Sequence, residues 1–221
     1  MTLSKSEEDY LKALFHLCIE CEEEKAGTNQ LADYLRVSPA SVNNMLKRLK
    51  EKDLVDYQKY GKVALTDSGR ETAVWLIRKH RLWETFLYRH MQFTWDEVHD
   101  VAEQLEHIQS AKLIAELDKF LGFPKTDPHG AIIPDGEGRY TVTPRTMLSE
   151  LHAGDRCHLI AVADQSGALL QYASEMGLEL NSTILVHAVR GFDLTMLIEV
   201  GGRMHSVSKT FADHLFVRTE S

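Results

Sequence analysis

The chain has 221 residues, 43% of them hydrophobic and 26% charged, the balance of a soluble globular protein with room for one large domain or two modest ones. No apolar run approaches the ~20 residues needed to cross a bilayer, and the opening MTLSKSEEDY lacks the basic and apolar regions of a secretory signal, so the expected location is the cytoplasm, with no membrane partner. The net charge of −8 disfavours nucleic acid only as a whole-chain average, because DNA binding depends on where the charge lies.

From Asp9 to about Glu23 apolar residues recur at helical spacing (Tyr10, Leu11, Leu14, Phe15, Leu17, Cys18), and Gly27 is a plausible stop. Within this helix Cys18 and Cys21 form CIEC. A zinc ribbon needs a second such pair, and the only other cysteine is the distant Cys157, so the pair is read as reduced structural thiols. TNQLADYLRV reads as a short helix capped by Thr28. SPASVNNMLKRLKEK restarts at once, with Ser38 as N-cap and Pro39 at the first helical position. Two short helices joined by a tight turn make a helix-turn-helix. LVDYQKYGKVALT adds strand-like runs around a turn near Gly61, the wing of a winged helix. From Pro39 to Lys62 six cations (Lys47, Arg48, Lys50, Lys52, Lys59, Lys62) face three anions (Glu51, Asp53, Asp56), a local balance of 6 − 3 = +3. A basic winged helix on an acidic body points to DNA.

A long helix is expected from about Asp67 through His90, another from near Thr94 through TWDEVHDVAEQLEHI, and a third over SAKLIAELDKFLG, capped by Ser110 and ended by Gly122. FPKTDPHGAIIPDGEGRYTVTP gathers prolines and glycines and reads as a linker or structured loop. After about Met147 short β-type runs follow, with Gly201-Gly202 as a hairpin turn and GALLQYASEMG as one helical interruption. The expected fold is mostly α with β: a winged helix-turn-helix over 1–65, a helical domain over 66–122, a linker over 123–146 and a small β-barrel over 147–221.

Residues three and four apart share a helix face, so His99, Glu103, Glu106 and His107 form one stripe, and His80 and Glu84 pair on the preceding helix. Imidazole and carboxylate donors without thiolate suit Mn²⁺, Fe²⁺ or Zn²⁺. The spacing is neither the HExxH of a zinc hydrolase nor the paired Glu-x-x-His of a di-iron bundle. A metal site without a catalytic arrangement, beside a winged helix, suggests sensing. His16, His90, His152, His158, His187, His205 and His214 show no ligand spacing and are read as surface or satisfied core, and His129 in DPHGAIIP is read as turn chemistry.

The chain resembles the diphtheria-toxin-repressor family of metal-dependent transcriptional repressors. The resemblance lies in SEEDYLKALFHL, LADYLRVSPASVNNMLKRLKEKDLVDY, ALTDSGRETA, RKHRLWETFL, VHDVAEQLEHI and DKFLGFPKTDPHGAIIP, and covers essentially the whole chain. It implies a helical dimerisation and metal domain, a C-terminal FeoA-like (Src-homology-3-like) barrel, and no enzyme activity. It also implies a regulatory metal site of Asp9, Glu103, Glu106 and His107. An ancillary site would comprise His80, Glu84 and His99, with Gln165 or its neighbour Asp164 added from the barrel. Iron-responsive members carry methionine and cysteine at the positions of Asp9 and Glu103; the acidic residues here imply Mn²⁺. Lys12 stands where small manganese sensors have another acidic ligand, which disfavours their closely spaced two-metal site.

The expected function is therefore metal-activated repression of metal-homeostasis genes by a homodimer on a near-palindromic double-stranded operator, metal tying the DNA-binding domain to the dimer core. Ser38, Pro39, Ala40, Ser41, Asn43 and Asn44 lie where base edges are met, Asn43 or Asn44 suited to adenine. Lys47, Arg48 and Lys50 suit phosphates, and Tyr60 and Lys62 place the wing on the backbone. The competing expectations are a winged-helix regulator sensing a non-metal ligand, an Fe²⁺-responsive repressor of the same family and, from a different class, a metalloenzyme.

Overall fold

A computed structural model of the chain describes residues 3–21, 23–57, 61–141, 144–163 and 167–220. The chain divides into two units: Met1–His80 with Glu106–Glu116 and Ile133–Val142, and Arg81–Leu105 with Leu117–Ile132 and Thr143–Ser221.

In the first unit, α1 (Lys5–Phe15) starts earlier than its apolar periodicity indicates. Ser4 and Glu7 form a capping box that satisfies the orphan amides of the first turn. The chain then widens into a π-helical turn over His16–Glu20. Next, α2 (Thr28–Leu35) and α3 (Pro39–Glu51) form the helix-turn-helix. Gly27 rather than Thr28 is the N-cap of α2, while Ser38 caps α3 as expected, its Oγ accepting from the Ser41 amide at 3.2 Å. The wing is an antiparallel sheet of order β1-β3-β2, made of β1 (Ala26–Gly27), β2 (Val55–Tyr57) and β3 (Lys62–Leu65), with Tyr57 opposite Val63. Leu11, Leu14, Phe15, Leu31, Leu46 and Leu49 fill the core completely shielded from solvent. Lys52 at the end of α3 reaches the buried Glu7 carboxylate at 2.7 Å, so a charge pair fastens α1 to the recognition helix.

Helix α4 (Asp67–His90) gives its residues through His80 to the first unit and the rest to the second. The second unit continues with α5 (Val98–Leu105) and α6 (Ala111–Phe120), the latter shared with the first unit in the same way. Residues Thr94–Glu97 form a turn closed by the Glu97 carboxylate on the Thr94 amide, so α5 is shorter than expected. Six antiparallel strands follow in the order β4-β9-β5-β6-β7-β8: β4 (Thr146–Met147), β5 (Arg156–Val162), β6 (Thr183–Val189), β7 (Met196–Val200), β8 (Arg203–Val207) and β9 (Leu215–Thr219). Gly201 and Gly202, both at positive φ, close the β7–β8 hairpin. The short helices α7 (Gly167–Glu175) and α8 (Lys209–Ala212) accompany the sheet. Cys157 is buried in β5.

One contact seats the DPHG loop on this sheet. The His129 carbonyl accepts from the Val162 amide at 2.9 Å, and a Cβ on Gly130 would stand 2.0 Å from the Ile160 carbonyl oxygen. Gly130 also has φ +81, which disfavours any side chain. Gly130→Ala is expected to destabilise the second unit by about 2–4 kcal/mol, the combined cost of strain and overpacking. Urea unfolding of the variant against the parent checks it.

Candidate metal centres and nucleic-acid interface

The first candidate centre lies in the first unit. Ligand atoms of Asp9, Glu106 and His107 fall within 4.8 Å of one another. Asp9 comes from α1, whereas Glu106 and His107 follow the end of α5 at Leu105. The continuous helical stripe expected from His99 to His107 is therefore broken. Leaving the helix frees the backbone to turn Glu106 and His107 towards α1. His107 Nδ1 hydrogen-bonds the Glu8 carboxylate, whose other oxygen accepts from Gln109 Nε2 at 3.3 Å. With Nδ1 so fixed, Nε2 is buried and has no hydrogen-bond partner among the described residues. A ring held by a carboxylate on one nitrogen and bare on the other is how a histidine is presented to a metal. The residues fit a divalent cation.

Glu106 is fully shielded and already engaged. Lys12 Nζ lies 2.6 Å from one oxygen and His80 Nδ1 2.6 Å from the other. Burial alone would raise its carboxyl, but the His80 and Lys12 bonds and charges outweigh this and hold it below the usual carboxylate range. Lys12 thus supplies positive charge at the carboxylate that a cation would take.

The second candidate centre lies in the second unit. Ligand atoms of Glu84, Asp127 and His129 lie within 4.8 Å of one another, and all three side chains are buried. Asp127 Oδ1 accepts from the amides of His129 (2.8 Å) and Ala131 (3.0 Å), the turn chemistry read from the sequence. Its Oδ2 is buried without a hydrogen bond among the described residues, 3.6 Å from Arg81 Nε. His129 Nε2 donates to the Trp95 carbonyl at 2.7 Å, which leaves Nδ1 facing Glu84 at 3.6 Å with no hydrogen bond. Desolvation opposes charging of His129, but Glu84 and Asp127 raise it to about 9. Burial and Glu84 push the Asp127 carboxyl up. Two carboxylates and an imidazole converging in a dry site also fit a divalent cation. Glu84 further meets His99 Nδ1 at 3.4 Å, and His99 Nε2 lies 3.8 Å from Glu103.

The chain matches "Iron dependent repressor, N-terminal DNA binding domain" over residues 2–63, "Iron dependent repressor, metal binding and dimerisation domain" over 66–135 and "FeoA domain" over 146–219. A solved manganese-dependent transcriptional repressor in complex with manganese is 34% identical, with a TM-score of 0.87, over 97% of this chain and 100% of its own. The chain belongs to the diphtheria-toxin-repressor family of metal-dependent transcriptional repressors. Among its relatives, an uncharacterized HTH-type transcriptional regulator of Methanocaldococcus jannaschii is 31% identical over 119 residues, 54% of this chain and 94% of the relative. The iron-dependent repressor IdeR of Mycobacterium bovis is 32% identical over 130 residues, 58% of this chain; the match spans 54% of IdeR, so the chain covers about half of that relative. These families are repressors, not enzymes.

The DNA-binding domain match covers α3, and the start of that helix is exposed. Ser38, Pro39, Ala40, Ser41 and Asn44 are exposed there, and so are Lys47, Arg48, Lys50 and Lys62. Asn43 is occupied within the chain: its amide donates to the Pro39 carbonyl at 2.7 Å and its oxygen accepts from the Tyr57 hydroxyl. That leaves Asn44 as the better placed of the two for a base edge. Lys50 is spent on the Tyr57 carbonyl at 2.8 Å, and Arg48 leans to Glu7 at 3.7 Å. Tyr60, Asp164 and Gln165 lie outside the described residues. Sequence reasoning missed Glu8, Asp127 and His129; the D-x-H spacing of DPHG was the available signal for the last two.

If Lys12 competes for Glu106, its removal leaves the buried carboxylate with His80 on one oxygen and frees the other oxygen for a cation. Lys12→Gln is expected to tighten Mn²⁺ binding about tenfold, near 1.4 kcal/mol. Calorimetric titration of the metal-free protein checks this; unchanged or weaker binding would show that Lys12 does not compete.

Proposed function

We propose that this chain is a Mn²⁺-activated repressor of metal-homeostasis genes, acting in the cytoplasm as a homodimer on a near-palindromic double-stranded operator. The observation that carries this reading is the convergence of Asp9, Glu106 and His107 in the unit that also holds the recognition helix. All the donors there are oxygen or nitrogen, the hard set that favours Mn²⁺ over softer ions. Fe²⁺ is the second reading, favoured by the iron-dependent relative IdeR; Zn²⁺ is accommodated by the same donors in vitro.

Glu103 is proposed to join Asp9, Glu106 and His107 as a regulatory ligand, and His80, Glu84 and His99 are proposed as an ancillary set. Asp164 and Gln165 are proposed as ligands contributed by the barrel. A bound divalent cation supplies concentrated positive charge between carboxylates that otherwise repel one another. The chain's own residues convert that into DNA binding. Asp9 and Glu8 sit on α1, and Glu7, next to them, is paired to Lys52 at the end of α3. Holding Asp9 and His107 together therefore holds α1, and α1 carries the recognition helix through the Glu7–Lys52 pair. In the dimer, two such helices must meet successive major grooves about 34–36 Å apart.

Fluorescence anisotropy with the protein's own upstream DNA, in chelator and then in Mn²⁺, tests the reading. Binding is expected only with Mn²⁺, to be lost in Glu106→Ala and weakened in Asp127→Ala; equal binding in chelator would overturn metal activation. Truncating Lys47 and Arg48 to alanine is expected to flatten the salt dependence by up to about two phosphate contacts' worth of slope, and an unchanged slope would remove them from the interface.

A further inference from the structure

His16, Glu20 and Cys21 form a relay outside both metal centres, in the first unit. Glu20 Oε2 lies 2.9 Å from His16 Nδ1, and the exposed Cys21 sulfur lies 3.8 Å from His16 Nε2. The π-helical turn creates the juxtaposition: the Cys21 amide donates to the His16 carbonyl five residues back at 3.0 Å, which sets the thiol beside the imidazole. The carboxylate and ring are held in turn. The Tyr140 hydroxyl donates to Glu20 Oε1 at 2.9 Å, and the Tyr34 ring of α2 stacks on His16 with centroids 5.1 Å apart.

Glu20 and Cys21 use opposite nitrogens of one ring. A metal would need its donors to converge on a point; a carboxylate on Nδ1 and a thiol on Nε2 instead make a proton relay, with the carboxylate orienting the base and the base activating the nucleophile. We propose that Cys21 is an activated thiol and a site of reversible oxidation by hydroperoxides. In the step, the Cys21 thiolate attacks one peroxide oxygen. An S–O bond forms as the O–O bond breaks, sulfur loses two electrons to the peroxide, and the departing hydroxide or alkoxide takes the proton held on His16 Nε2. The products are a Cys21 sulfenic acid and water or an alcohol; one external thiol then condenses with the sulfenic acid to a mixed disulfide and water, and a second thiol releases the free cysteine and the external disulfide.

The surrounding charges agree with this geometry. Burial disfavours the charged imidazole, yet Cys21 and Glu20 outweigh it and raise His16 to about 9, so the ring stays cationic beside the sulfur at neutral pH. Among the described residues, Glu20 and Cys21 from its own segment and the Tyr34 ring from α2 face His16, with Tyr140 acting through Glu20. Cys18 is half-buried and its thiol is raised by burial, while burial pushes Cys157 up to about 12.

The test uses the full chain. Iodoacetamide alkylation is followed across pH by peptide mass spectrometry at all three cysteines, with glutathione as reference, and hydrogen peroxide treatment is followed by dimedone capture of sulfenic acid. At about pH 6.5, where an ordinary thiol is almost wholly protonated, Cys21 is expected to react about tenfold faster than glutathione. Dimedone should mark Cys21 ahead of Cys18 and Cys157. His16→Gln should return the Cys21 pH profile to that of an ordinary thiol, and continued protection of Cys157 reports that the variant is folded. Should that variant not fold, the parent's pH profile alone decides. A Cys21 rate that follows glutathione across pH, or one unchanged in folded His16→Gln, would overturn the proposal.

Discussion

The Glu106 carboxylate is sealed from solvent, and a charge so placed has to be answered by neighbours. Lys12 answers from α1 and His80 from α4, each at 2.6 Å. Asp9 and His107 stand beside it, His107 with its ring already oriented by Glu8. The first unit thus holds a buried negative charge that Lys12 and His80 answer from two different helices. Everything proposed for metal activation depends on this arrangement, because it makes the position of α1 a function of what sits on Glu106.

The second unit solves a different problem. Glu84, Asp127 and His129 lie in its interior, and the loop carrying the last two is anchored to β5 by the His129 carbonyl and by the close approach that Gly130 permits. Arg81 adds a bond to the Ile132 carbonyl at 2.5 Å, so the loop is fastened on both flanks of the site. The barrel thus has a structural task as the bed for that loop. A loop fastened this way holds Asp127 and His129 at a fixed geometry with little freedom to adapt. In the first site the donors come from α1 and from the segment after α5, so a cation there would tie two segments of the first unit together.

The sequence made the periodic and capped elements legible. Ser38-Pro39 marks the start of α3, Asp67 to His90 reads as one helix, and Gly201-Gly202 marks its hairpin. These signals are local, each residue type acting on its own backbone. The capping box of Ser4 and Glu7 is equally local, and it starts the first helix ahead of the apolar residues whose periodicity marks it. The end of α5 was less legible, since EQLEHI keeps a helical pattern past Leu105 while the chain turns to bring Glu106 and His107 to α1. Asp9 was reached only through family resemblance, and Glu8 was missed because its role exists only in three dimensions. Asp127 and His129 carry turn chemistry on one side and ligand chemistry on the other; only the first leaves a local mark. Cys21 met the same fate, since an ordinary helix would not set it against His16.

The central claim is that metal at Asp9, Glu106 and His107 immobilises α1. Hydrogen-exchange mass spectrometry of the full chain, with and without saturating Mn²⁺, tests it most directly. Slower exchange is expected across Lys5–Phe15 and around residues 106–110 when Mn²⁺ is bound, with no such protection in Glu106→Ala. Bound Mn²⁺ that leaves exchange in those segments unchanged would contradict it.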